Sequence, residues 1–197
     1  MTRATPPVTP AEVLAFWFGS TDAADPRWFK RSDAFDAAIR ERFGATVQAA
    51  LAGRLDDWAA RPPGALALIV LLDQFTRNIH RGTPAAFAGD AQALTLALQL
   101  AHSGEHLRLP PLQRWFAYLP LEHAEDLTLQ QQCVRLFEAL AAEPGPHREA
   151  LAGALDYARR HHDVIARFGR FPHRNAILGR ASTPEEVAFL LQPGSSF

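Results

Sequence analysis

The sequence predicts an all-α fold, an array of antiparallel helical hairpins with about eight helices, and three observations carry that prediction. Alternating β-branched runs bounded by turn residues, the mark of strands, are nearly absent. Two capping boxes, Thr9-Pro10-Ala11-Glu12 and Thr183-Pro184-Glu185-Glu186, each put proline at the first helical position and so set a helix start at either end of the chain. The connections between are short and marked by Gly and Pro, which favours antiparallel neighbours. Taken in order, the first box opens a helix carrying Val13, Leu14, Phe16, Trp17 and Phe18, and the next helix runs over Asp33 to Leu51. A helix over Pro63 to Ile79 contains the apolar run Ala65 to Leu72, too short to span a bilayer and closed by Asp73, so it is a buried helix. Gly82-Thr83-Pro84 ends it. Helices follow over Asp90 to Ser103 and Pro110 to Leu119, where Pro120 forces a turn, then over Ala124 to Ala142. The next, His147 to Phe168, is broken by Gly169 and Pro172, and the last lies near Pro184 to Leu191. Such an array is solenoid-like, but no clean repeat at a fixed period is present.

With 197 residues and 48% apolar content the chain fills one core. The expected organisation is a disordered tail over 1–8, a single all-α domain over 9–192 and a loose tail over 193–197, where Phe197 is the residue able to dock. A net charge of −1 gives no global field toward nucleic acid or an acidic membrane surface. Trp17, Trp28, Trp58 and Trp115 belong to the core rather than to a base-stacking platform, since no basic stripe accompanies them. The N-terminus lacks the apolar core of a signal peptide, and Cys133 has no second cysteine to pair with, so a reducing cytoplasm is the expected location. Mid-helix and without basic neighbours, that thiol reads as a packed side chain. No cofactor is called for, and no Cys/His set has the spacing of a zinc site.

Within that neutral balance Lys30 is the single lysine against nineteen arginines, and six of the arginines fall in three polar segments. In the first, Asp73 to Arg81, an apolar helix turns abruptly polar, with Asp73, Arg77 and Arg81 on one stripe at i, i+4 and i+8 and Gln74 and Asn78 beside them. In the second, Arg114 and Tyr118 share a helix face, and His123 and Glu125 come round after Pro120. The third, Arg167 to Asn175, sets Arg167, Arg170 and Arg174 with His173 and Asn175 on a backbone punctuated by Gly169 and Pro172. Arg77-Asn78 and Arg174-Asn175 each join a planar donor fork to a neutral amide, a pairing that suits carboxylate or phosphate.

Three readings stand. In the first, the segments converge on a pocket for a small anionic ligand, which it binds and on which it acts if the protein is an enzyme. The binding residues would be Arg77, Asn78, Arg81, Arg114, Tyr118, Arg170, Arg174 and Asn175; His123 and His173 would be acid and base, and Asp73 and Glu125 orienting carboxylates. In the second, the chain is a helical adaptor gripping a partner peptide or acidic tail in an Arg-lined groove. In the third, the same residues form an internal hydrogen-bond network that fixes helix register. No nucleophile presents itself.

Asp73 to Pro84, Arg114 to Glu125 and Phe168 to Arg180, in this order, resemble the bacterial domain-of-unknown-function family numbered 924, and the resemblance runs from Val13 to Leu190. It implies a tetratricopeptide-like helical fold and no established activity. Thr76 stands where the family commonly has proline, and Ala124 where it commonly has serine, which removes a serine hydroxyl from beside His123.

Overall fold

A computed structural model describes residues 8–19 and 23–195. Residues 1–7 of the expected N-terminal tail, and Phe197 with its docking role, lie outside the described residues. Val8 packs against the core, and near the other end Ser195 is buried with its hydroxyl donating to the Leu190 carbonyl at 3.1 Å.

Among the described residues the regular structure is entirely helical. It opens with α1 (Pro10–Phe18) and α2 (Asp33–Leu51), capped by Thr9 in a full capping box and by Ser32. A 3₁₀ turn (Asp56–Ala60) leads into α3 (Pro62–Ile69), which runs on through a π-helical turn (Val70–Phe75) into α4 (Thr76–Ile79), so that one rod covers 62–79. After it come α5 (Asp90–Ser103), α6 (Pro111–Glu122), α7 (Leu127–Ala141), α8 (Arg148–Phe168) and α9 (Pro184–Leu190).

The rod 62–79 is the axis of the core: every residue from Gly64 to Thr76 is buried, the apolar run Ala65 to Leu72 with helices on all sides and the polar Asp73, Gln74 and Thr76 beyond it. Helices α1, α2, α5 and α6 pack around it. Trp17 meets Phe75 and Phe116 edge-on at 5.5 and 5.6 Å, which ties α1 to the π turn and to α6. Two glycines permit the close approaches. A Cβ on Gly64 would stand 2.0 Å from the Trp58 carbonyl oxygen, and one on Gly89 2.3 Å from that of Leu72. Helices α6, α7 and α8 pack in succession as hairpins. What the packing shows is thus an all-helical array, coarser than the tetratricopeptide-like arrangement the resemblance implies.

Three local expectations are corrected. Pro120 does not turn the chain but lies inside α6, which continues to Glu122. Beyond it Gln130 of α7 caps the helix end, donating to the carbonyls of Glu122 at 2.6 Å and Ala124 at 2.9 Å, which have no later helical N–H to meet. Helix α7 starts at Leu127 rather than Ala124, since Asp126 is its cap, accepting from the Leu129 N–H at 2.9 Å. The rod ends at Ile79, so Arg81 leaves the stripe shared by Asp73 and Arg77. No helix is long and apolar enough to cross a membrane among the described residues.

Candidate functional site

Asp73 sits in the π turn at the heart of the core, fully buried. Its Oδ1 accepts from His123 Nδ1 at 2.7 Å and lies 3.0 Å from Arg77 Nη1, while Oδ2 accepts from Gln74 Nε2 at 2.5 Å. Burial alone would favour the neutral acid, but Arg77 and His123 outweigh it and hold the carboxyl well below the usual carboxylate range. An ionised carboxylate only accepts hydrogen bonds, so His123 Nδ1 carries the proton and Nε2 presents a lone pair. His123 follows the last residue of α6, held there by its N–H to the Leu119 carbonyl at 2.9 Å and by the Gln130 cap. Burial lowers its pKa, and Arg77 adds to this against the opposing pull of Asp73, so the ring is neutral; 16% of its side chain stays exposed.

Arg174 comes to the same place from the corner after α8. That corner begins at Gly169, whose φ of 68° closes the helix in the left-handed conformation. Its guanidinium donates from Nη1 to the His123 carbonyl at 3.0 Å and lies over the Phe171 and Phe87 rings, 4.4 and 5.0 Å from their centroids. Asp90 is the nearest carboxylate at 3.9 Å, beyond hydrogen-bond reach, and is already held bidentate by Arg77 at 2.8 and 3.0 Å. Arg174 Nε is buried without a partner among the described residues. Burial, and then repulsion from Arg77, lower its pKa to about 10. His173 beside it is pushed down to about 4 by burial, Arg174 and His123.

A third imidazole lies behind. The His161 ring of α8 is 6.3 Å from that of His123 and 5.5 Å from Phe171. Its Nδ1 donates to the Tyr157 carbonyl at 2.9 Å and stands 3.3 Å from Glu122 Oε1; burial pushes its pKa down to about 3. Glu122 is 4% exposed, faces no arginine within ion-pair distance among the described residues, and leaves Oε2 unpartnered. Burial, with Asp73 nearby, pushes it up to about 8, so it is a neutral acid at pH 7.

Two carboxylates clamp the corner. Glu125 accepts from the Phe171 N–H at 2.8 Å and pairs bidentate with Arg180 at 2.6 and 2.9 Å. Glu186, buried in the first turn of α9, takes Arg170 at 2.6 and 2.8 Å, the Thr183 N–H at 2.8 Å and Asn175 at 3.2 Å.

The structure therefore brings together Asp73, Arg77, His123, His173 and Arg174, with Glu125 bracing the corner, and distributes the other expected residues over three separate networks. Arg81 and Asn78 bind Asp36 of α2 at 2.5 and 2.7 Å, because the rod has ended before Arg81. Arg114 pairs with Glu143, which follows α7, and Tyr118 meets His106 Nδ1, in the 3₁₀ turn before α6, at 2.6 Å. Arg170 and Asn175 converge on Glu186. The expected binding residues thus fall into four clusters rather than one.

The model of the family described as bacterial protein of unknown function (DUF924) matches residues 13–194. The chain belongs to that family. The solved structure of a protein of unknown function from Agrobacterium tumefaciens is 38% identical to it, with a TM-score of 0.81, covering 92% of this chain and 96% of the other. No curated protein matches the sequence.

Asp90, Glu122, His161 and Phe87, which complete this candidate site, were not among its expected residues, although His161 shares a helix face with Ile165. The one available signal was His161 on the apolar face of α8, since a histidine there must find polar company. Cys133 is buried, its Sγ 3.8 Å from the Tyr118 carbonyl, and burial followed by Glu122 raises its pKa well above the ordinary thiol value. Among the described residues no His/Cys/Asp/Glu group is placed to hold a metal ion.

Proposed function

We propose that the protein binds a small anion at Arg174 and holds it against His123, a neutral imidazole fixed by Asp73 and suited to act as a base. The observation that carries this reading is the guanidinium of Arg174: 8% exposed, lying over two aromatic rings, and without a carboxylate in hydrogen-bond reach. A buried cation left in that state is costly unless something completes its shell. Arg81, Arg114 and Arg170, by contrast, each have a bidentate carboxylate, and their networks serve register and capping. Asp73 and His123 reproduce the orienting pair of many acid–base sites: the carboxylate fixes the tautomer and leaves Nε2 to take a proton. A reducing cytoplasm is the compartment that suits a single buried thiol.

The test is a thermal-shift and calorimetric screen against inorganic phosphate, phosphate esters and carboxylates, run on the wild type and on Arg174→Ala and Arg174→Lys. A ligand-dependent rise in Tm that both variants lose while keeping the wild-type circular dichroism supports the site. Absence of any shift, or a shift that Arg174→Ala retains, refutes it.

A further inference from the structure

We infer that the anion this site selects is a phosphate group, recognised through a proton shared between a phosphate oxygen and His123 Nε2. The inference rests on the proposed binding at Arg174 and names the ligand's chemistry. Two features of the geometry carry it.

The first is the blocked fork. A planar carboxylate is best held by two parallel N–H groups of one guanidinium. Arg174 does not offer that edge freely: Nε is buried, and Nη1 is engaged by the His123 carbonyl on the side facing Asp90. Arg77 is no substitute, being closed by Asp73 and Asp90. What is left is single-point contact, which denies a planar carboxylate its bidentate advantage and leaves the choice among oxyanions to His123.

The second is the fixed lone pair. With Nδ1–H committed to Asp73, His123 Nε2 is an acceptor, and no protein donor meets it among the described residues. An oxyanion oxygen set against that lone pair is repelled unless a proton lies between them. Phosphate keeps a hydroxyl proton at neutral pH, and a phosphomonoester, with a second pKa of about 6, acquires one cheaply. Sulfate and carboxylates hold none at that pH, so for them His123 itself must first be protonated. The groups facing the ring set the cost of that step. Asp73 of the π turn favours the imidazolium; Arg77 of α4 and Arg174 of the corner oppose it. His161 of α8 and His173 of the corner are neutral neighbours, and Glu122 of α6, protonated, adds no negative charge to help.

The experiment measures binding of inorganic phosphate, sulfate, acetate and phenyl phosphate to the full chain by calorimetry at about pH 6, 7 and 8, values that bracket the histidine range, on the wild type and on His123→Asn. Asparagine retains an N–H toward Asp73 and lacks Nε2. Phosphate is expected to bind about tenfold or more tighter than sulfate at pH 7, the value of one charge-assisted hydrogen bond. That preference should shrink as pH falls and sulfate gains a protonated His123, and it should vanish in His123→Asn while both anions still bind weakly. The order of inorganic phosphate and phenyl phosphate then tells whether the source is the free ion or an ester; either upholds the inference. Equal binding of sulfate and phosphate by the wild type, tighter binding of acetate, or a preference that survives in His123→Asn overturns it while leaving an anion site at Arg174. Failure of every anion to bind removes the site and the inference together.

Discussion

Replacing Glu122 by glutamine should stabilise the protein, and by an amount that grows with pH. The carboxyl is buried on α6 with one distant histidine contact and one orphaned oxygen. Its pKa rises from the ordinary 4.5 to about 8 in the fold. Between those values the native state holds a proton that the unfolded chain has released, so stability is fully present below the unfolded pKa and is lost as pH rises toward the folded one. The slope is about 1.4 kcal/mol per pH unit, giving about 4 kcal/mol over most of the interval. Glutamine has the same shape and nothing to ionise. Near pH 5 the two proteins should agree within about 1 kcal/mol, since one unpartnered buried group replaces another. By about pH 8 Glu122→Gln should be ahead by about 4 kcal/mol, which for a chain of this size is about 8–16 °C in Tm. Thermal and urea unfolding of both proteins across that range measures the gap. A gap that stays constant with pH, or a wild type that is the more stable at pH 8, would show that Glu122 is ionised in the fold and that the charge assignment around His161 is wrong.

Other outcomes follow from the same geometry. His161, neutral in the fold with its pKa near 3 against 6.5 unperturbed, contributes stability present above about pH 6.5 and lost as pH falls. His161→Gln should therefore remove about 1.4 kcal/mol per pH unit from the acid limb between pH 6.5 and 4.5, read by urea unfolding. Glu186→Ala leaves Arg170, Asn175 and the Thr183 N–H without their shared acceptor, and should cost about 3 kcal/mol, with hydrogen exchange over 169–183 accelerated more than elsewhere. Gly89→Ala drives a methyl into the Leu72 carbonyl, which is backbone and cannot yield cheaply; a loss of about 1–3 kcal/mol in unfolding free energy is expected.

Helices were legible wherever local chemistry decides them. Asp33–Leu51 and Asp90–Ser103 fall at the residues where cap, linker and periodicity point, because those signals act within a turn. Pro120 misleads because a proline is tolerated inside a helix whose neighbours hold it, and the true end of α6 is capped by Gln130, ten residues on from Pro120 in sequence. The site divides the same way. Asp73, Arg77, His123, His173 and Arg174 announce themselves by dense polarity next to apolar sequence, and they do meet. Arg81, Arg114 and Arg170 carry the same letters, yet their partners are Asp36, Glu143 and Glu186, and which carboxylate each arginine faces depends on packing between helices that no spacing rule supplies. Glu122 was least legible of all, since a buried acid without a cation looks, as a letter, like any surface glutamate.

The π turn over 70–75 has a genetic consequence. Each such turn holds one residue more than the α-helical turn it replaces, so the rod 62–79 carries a one-residue insertion relative to a regular helix. Deleting a single apolar codon ahead of Asp73 would let the rod rewind as an ordinary helix with better hydrogen bonding. It would also swing either Asp73 or the helix before it by about 100°, parting the carboxylate from His123 or the core from its packing. The length of this segment thus sets two demands against each other: a regular backbone wants one residue fewer, and the Asp73–His123 contact wants the residue kept.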